Sequence, residues 1–377
     1  MTLKVASLFS SAGIGESRLH ETDCNVVFAN EILENRCNLF AKINPGTDIE
    51  CSDISDVKVR KKIIKKILDK KVDVIMATPP CQGMSVAGKN LEDDPRNHLI
   101  TYAIDVIKQV KPKYVFLENV PRQLKTYINY KNKRVKVPDY VFKELSKIYH
   151  FNNDVLIKAS DYGIPQMRQR NIMLLSRKDQ KKLWTYPKKS SEIITLEKAI
   201  GIYPSLDPLL REGFEKTIEI FPKFEQKMKL ATKFSKWHYP PTHSLKHVLM
   251  MQKTPTGQTA FDNEVFYPKR DDGKKVSGHY NHYRRLDWDK PSRSLTQNNG
   301  VISSLACVHP GRKIKSGNEN SRIYSDARCL SLKEIFTVTS TNFDNKIGID
   351  TPENLIRKVI GEGIPPLLVK KIFKIIT

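Results

Sequence analysis

A thiol, a carboxylate and two guanidiniums stand where this sequence could do chemistry. Cys81 follows two prolines at the end of the apolar run Val72-Asp73-Val74-Ile75-Met76-Ala77. That run reads as a buried parallel strand, and proline ends it because proline cannot donate to a sheet ladder. A thiol on the stiff turn beyond a strand's carboxyl end is a candidate nucleophile. Taken alone, a buried structural cysteine is the commoner fate of a free thiol. The neighbours of Cys81 reverse that. Glu118 closes a second apolar run, residues 113–117, one strand–helix–strand unit further on. The two should therefore stand at neighbouring strand ends of one sheet. Raised in pKa by burial, such a carboxyl can deliver a proton. Arg168 and Arg170 alternate along an extended stretch, so both should point the same way. Paired guanidiniums repel unless an anion, carboxylate or phosphate, lies before them.

The elements that must position these groups follow from the apolar pattern. Residues 3–8 read as a first strand, leading through Phe9-Ser10-Ser11-Ala12-Gly13-Ile14-Gly15-Glu16 into a helical pattern that reaches Leu19. Small residues let backbone approach a ligand, and a helix start offers free N–H groups. A plain tight turn explains this stretch equally well. Residues 26–29 read as a second strand with Glu31 just past it, placed to accept hydrogen bonds from ribose hydroxyls or simply to cap a helix. Asp53-Ile54 falls in a turn, and 57–68 form a helix with one apolar face and a solvated lysine face. Residues 83–97 read as a polar loop long enough to act as a lid, followed by a helix with Leu99, Ala103, Ile104 and Ile107 inward. Residues 122–138 read as an exposed, irregular basic loop, then a helix over 139–149 and strands near 153–159 and 171–176.

The character changes near 185. Residues 185–290 are rich in Pro, Lys, His, Tyr and Phe with little long periodicity, which marks a second domain. His238, His243, His247, His279 and His282 lack cysteine or HExxH company, so surface or partner-facing histidines are expected rather than a metal site. An apolar strand should end near Val308, with helices over 330–337 and 351–359, the latter capped at Thr351, and a last amphipathic helix after Pro366. The chain has 377 residues and a formal charge of +23, which favours a polyanionic partner. Six cysteines include no CxxC pair, so a reducing cytoplasm is expected. No run of eighteen apolar residues predicts a membrane span, and residues 1–9 lack a signal-peptide pattern.

These motifs, in this order, resemble the DNA (cytosine-5)-methyltransferases of the bacterial restriction–modification type. Phe9 to Gly15 is similar to the family's FxGxGG turn, with Ser11 in place of a glycine. Pro79-Pro80-Cys81-Gln82 matches the nucleophile motif, Glu118-Asn119-Val120 the ENV motif, and Gln166-x-Arg168-x-Arg170 the QxRxR motif. Arg293 to Thr296 resembles the RxxT stretch, and Gly361 to Pro366 the GNxVPP motif, with Glu362 in place of asparagine. Only about 185–285 matches no family pattern, which is where the family keeps its variable target-recognition region.

The resemblance implies an α/β fold: a Rossmann-like S-adenosylmethionine-dependent methyltransferase domain, 1–184 plus 348–377, with a smaller target-recognition domain, 185–347. It implies Cys81, Glu118, Arg168 and Arg170 as catalytic residues. Phe9, Ser11, Ala12, Gly13, Ile14, Glu31, Ile32, Asp53, Ile54, Pro79, Leu99, Glu362 and Gly363 would hold S-adenosyl-L-methionine. Gln82, Ser85, Arg96, Arg293 and Thr296 would touch double-stranded DNA. No metal is implied. The chemistry agrees: a thiolate added to C6 makes the cytosine ring an enamine whose C5 can attack a methyl group, and the base must first leave the duplex stack. A monomer is expected, with any cognate restriction endonuclease acting separately. Two alternatives are an RNA-directed cytosine methyltransferase and a catalytically silent DNA-binding relative. The long variable region argues against the first, and intact Cys81, Glu118 and Arg168 against the second. A nicotinamide enzyme is a distant third, for want of GxGxxG.

Overall fold

Runs that are apolar on both faces must be covered on both, and the first half of the chain builds a sheet of that kind. The structure, a computed structural model, describes residues 2–80, 98–152, 155–270, 272–278 and 280–377. It divides into two units, Met1–Tyr162 with Gln169–Lys189 and Ile364–Thr377, and Gly163–Arg168 with Ser190–Gly363. These limits lie some residues beyond the sequence-derived ones at 184/185 and 347/348.

In the first unit, β1 (Leu3–Leu8), β2 (Cys24–Glu31), β3 (Asp48–Cys51), β4 (Val74–Ala77) and β5 (Tyr114–Asn119) pair in parallel in the order β3-β2-β1-β4-β5. The strand order reverses at β1, so β1 and β4 diverge at a switch point where such sheets bind ligands. A separate hairpin of β6 (Tyr127–Tyr130) and β7 (Lys133–Lys136) follows β5. The sheet continues with β10 (Gln169–Arg177), antiparallel to β5, flanked by β8 (Tyr149–Phe151) and β9 (Leu156–Lys158). Helices α1 (Glu34–Ile43), α2 (Val57–Asp69), α3 (Leu99–Val110) and α4 (Val137–Leu145) complete the unit with a C-terminal helix, Pro366–Phe373.

On one side of the sheet, Ala6, Leu8, Ile75, Val115 and Leu117 share a core with Ile63 and Ile67 of α2 and Ile100, Ile104 and Ile107 of α3. Each such aliphatic side chain contributes about 1.5–3 kcal/mol on burial. On the other, Trp184 packs edge-on against Phe373 and tilted against Phe116, and its Nε1 donates to the Ile372 carbonyl at 2.9 Å.

Two expectations for this unit need correction. Residues 122–138 are not irregular: a 3-10 turn, Pro121–Lys125, leads into the β6–β7 hairpin, held by the buried Ile128. The helix expected over 139–149 starts at Val137, because Pro138 suits the first helical turn, and Tyr149 belongs to β8.

The second unit holds α5 (Leu196–Ile200), α6 (Phe214–Ile220), α7 (Phe224–Phe234), α8 (Leu245–Lys253), α9 (Leu332–Thr339) and α10 (Glu353–Glu362). Its core is polar at the centre. Arg328, fully buried, lies 2.8 Å from both Asp326 and Glu334. Those two carboxylates are held below their usual range by the surrounding cations, against the opposing effect of burial. The strand expected before Val308 is absent; Val308 makes only isolated bridges, to Arg285 and Cys329. Thr351 does not cap α10, which Pro352 precedes; the reciprocal capping box belongs to α9, between Ser331 and Glu334. The histidines are not at the surface throughout. His238 and His243 are buried, with ring nitrogens bonded to Ser331, the Pro204 carbonyl and the Cys329 amide. Burial depresses both, His243 to about 3. Among the described residues no cluster of side chains suits a metal ion, and no helix is long and apolar enough to cross a membrane.

Candidate active site

The first unit gathers its candidate residues at the carboxyl ends of β1, β2, β4 and β5. Beyond β1 the chain turns through three residues of positive φ, Phe9 (+58°), Ser11 (+48°) and Gly13 (+69°). Gly13 has no alternative. A Cβ there would lie 2.2 Å from Asn44 Nδ2 and 2.6 Å from the Phe40 ring, and the Asn44 amide already donates to the Gly13 carbonyl. Ala12 and Ile14 are buried beneath the turn.

Glu31, the last residue of β2, holds this turn. One carboxylate oxygen accepts from the Ser11 amide at 2.9 Å, the other from the Ile32 and Leu33 amides at 3.0 Å. An ionised carboxylate has about four acceptor positions, so these three bonds leave room for one more donor. Ile32 beside it is 56% exposed, an apolar surface without cover from its own unit. Ser11 Oγ is buried and has no hydrogen-bond partner among the described residues. Asp53 is exposed, accepting from the Ser55 amide, whereas the Ile54 side chain is committed to the core. Leu99 opens α3, half-buried.

At β5, Glu118 Oε1 lies 2.7 Å from Arg170 Nε, both side chains about nine-tenths buried. Asn119 donates from Nδ2 to the Pro79 carbonyl at 2.9 Å. The carboxylate-bearing strand end is thus bonded directly to the diproline that precedes Cys81. Cys81, Gln82, Ser85 and Arg96, with the 83–97 loop, lie outside the described residues.

The two arginines make different contacts. Arg170 pairs with Glu118. Arg168, 4% exposed, donates to three backbone carbonyls of its own unit: Leu295 at 3.0 Å, Gly361 at 2.9 Å and Glu362 at 2.7 Å. Alternation along an extended chain does not hold here because β10 begins only at Gln169. Around Arg168, Gly361 packs so closely on Thr296 that an added Cβ would sit 2.2 Å from the Thr296 oxygen. Arg293 donates to Asn281 at 2.8 Å. Glu362 and Gly363 end α10 in this second unit.

Sequence reasoning passed over Glu16. It is 3% exposed, in the 3-10 turn Gly15–Glu21 after the β1 loop, and accepts a short hydrogen bond from Ser7 Oγ. Burial, with a smaller contribution from the charge on Glu118, pushes its carboxyl up to about 7. An acid beside glycines reads as a solvated residue, and no spacing rule marks it as buried.

The strand order β3-β2-β1-β4-β5, the antiparallel β10 and the acid-held turn after β1 define a Rossmann-like methyltransferase fold. The chain belongs to the C-5 cytosine-specific DNA methylase family, whose model matches residues 3–377. It is accordingly a DNA (cytosine-5)-methyltransferase acting on DNA. It is 40% identical over 371 residues to the Type II methyltransferase M1.HgaI of Avibacterium volantium, covering 97% of this chain and 96% of the relative. Type II methyltransferase M1.HphI of Haemophilus parahaemolyticus is 31% identical over 211 residues, 55% of this chain and 54% of its own. Among solved structures, DNMT2 of Spodoptera frugiperda, in a mutant form, shares the fold at a TM-score of 0.57 with 17% identity, covering 99% of both chains.

Proposed function

We propose that this enzyme methylates C5 of a flipped-out cytosine within a specific double-stranded DNA sequence through a covalent bond between Cys81 and C6. The observation that carries the reading is the Asn119–Pro79 hydrogen bond, which ties Glu118 to the segment that delivers Cys81. The Cys81 thiolate adds to C6, and the electron pair released into the ring makes C5 nucleophilic. Glu118, oriented by Arg170, meets the charge that develops at N3. When bound, S-adenosylmethionine would supply the electrophilic methyl group, which C5 takes with its electron pair as the S–CH3 bond breaks and S-adenosylhomocysteine leaves. Water then takes the C5 proton, and the returning electron pair expels the thiolate. The residues of the first unit suit that methyl donor: a positive-φ turn that excludes a Cβ at Gly13, a Ser11 hydroxyl unpartnered among the described residues, a Glu31 oxygen with remaining capacity and the exposed Ile32. Phe9, Asp53, Pro79 and Leu99 line the same strand ends and helix start.

The second unit is proposed to read the DNA, with Arg293, Thr296 and exposed polar residues of 185–285 as contacts, together with Gln82, Ser85 and Arg96. Arg168 then acts by holding the 295–296 and 361–362 segments. The enzyme is proposed to be a cytoplasmic monomer, the modification half of a restriction–modification system whose endonuclease acts separately. The test is a duplex carrying 5-fluorocytosine at the methylated position, located by conversion sequencing of host DNA. A covalent complex stable to denaturation is expected with the parent and not with Cys81→Ser. Normal turnover without a trapped adduct would exclude the covalent route.

A further inference from the structure

Between the candidate site and α4, residues 121–136 carry Arg122, Lys125, Lys131, Lys133, Arg134 and Lys136, all exposed, and no acidic residue. The segment is an ordered platform rather than a solvated tail. Ile128 is buried in the core, and Tyr130 and Val135 pack against it. Every cation therefore lies outward. The Arg134 guanidinium lies 4.0 Å from the Tyr127 ring centre and Lys131 Nζ 5.3 Å from that of Tyr130. Rings under cations stiffen long side chains without neutralising them.

The other basic run in this unit provides the contrast. On α2 and just past it, Arg60, Lys62, Lys66 and Lys70 are neutralised by Asp105, Glu50 and Asp48. On the hairpin segment, Arg122, Lys125, Lys133 and Lys136 pair with no carboxylate among the described residues, and Lys131 feels Glu144 without a salt bridge to it. The segment is also fixed to the active-site strands. Gln123, buried, accepts from Asn171 Nδ2 at 3.0 Å, and Asn171 is the β10 partner of Asn119 on β5.

We infer that the β6–β7 hairpin is a second DNA-binding surface, holding phosphates beside the flipped base independently of target recognition. The inference rests on the enzyme acting on duplex DNA. It does not depend on which residues read the sequence. A cation on a phosphate releases condensed counterions, so each such contact steepens log K against log salt by about 0.9. Because phosphates carry no sequence, the contribution should be equal on target and non-target DNA.

The test compares Lys131→Gln/Lys133→Gln/Lys136→Gln with Lys62→Gln/Lys66→Gln/Lys70→Gln, an equal loss of charge at the ion-paired positions on and just past α2. Binding to a target duplex and a scrambled duplex is measured across a salt series, with S-adenosylmethionine binding as the check on folding. The hairpin variant should show a slope shallower by about 2 to 3 on both duplexes, an unchanged ratio between them and unchanged cofactor binding. The α2 variant should keep the parent slope. Equal slopes for the two variants, or a loss confined to the target duplex, would overturn the inference. Failure of the parent to bind any duplex would instead overturn the functional reading and this one with it.

Discussion

Arg168 and Arg170 sit two residues apart and do different work. If, as proposed, both act as charge develops on the ring, Arg170→Met should lower kcat about as much as Glu118→Gln, with little change in cofactor affinity. Comparable loss of cofactor binding would place the pair elsewhere. Arg168→Met should instead be read in the melting temperature. Three buried carbonyls would lose a charged donor, costing at least about 2 kcal/mol. Glu16 adds a pH signature. Its folded pKa, about 7, lies above its ordinary value of 4.5, so the folded state binds the proton more tightly. No penalty exists below about 4.5, where both states are protonated. Stability falls as pH rises from there to about 7, by about 3 kcal/mol in all. Glu16→Gln should therefore gain on the parent across that window. A gap between the two that stayed flat from pH 4.5 to 8 would rule out this ionisation.

At the scale of elements, Gly361 and the α9 cap give the sharpest expectations. Gly361→Ala forces a methyl group against the Thr296 carbonyl and should cost about 1–3 kcal/mol through overpacking. Ser331→Ala removes one half of a capping box and the Nδ1 partner of the buried His238, and should cost about 1–3 kcal/mol; calorimetry of both variants tests the magnitudes. The first unit was largely legible, since long apolar runs such as 72–77 and the one-sided helix 57–68 betray themselves by period. The glycine turn, Glu31 and the Glu118 strand end were legible for the same reason. The hairpin at 127–136 was missed because its cations mask a two-residue alternation around a single buried isoleucine. The second unit was the least legible. Among its apolar side chains its core holds His238, Arg285 and Arg328, residues that composition assigns to the surface. Arg285 lies in a polar, aromatic-rich stretch that reads as surface, yet it is 1% exposed and donates to the carbonyls of Met251, His309, Ser325 and Asp326. Buried arginines are intelligible only after their carbonyl partners are known.

On the reading proposed above, specificity and chemistry belong to different stretches of chain. Grafting 185–285 from a relative of known target should transfer that target, provided Trp237, His238, His243 and Arg285 keep their partners. A folded, active chimera retaining the parent target would move the search for readers outside that segment. The exposed Lys236, Lys246, Lys274, Lys275 and Tyr280 are the residues to vary first. The first unit is also interrupted: Lys189 is followed by the whole of Ser190–Gly363 before Ile364 resumes it. The last piece supplies the Ile372 carbonyl to Trp184 and Phe373 to Phe116. On the ribosome, that face of the sheet stays uncovered while the intervening segment is synthesised, roughly 10 to 35 s at ordinary elongation rates. A nascent chain stalled before Ile364 would present Phe116 and Trp184 to chaperones rather than to its own helix. The yield of active enzyme should thus depend on translation speed through 190–363 more than on codon use in the catalytic strands.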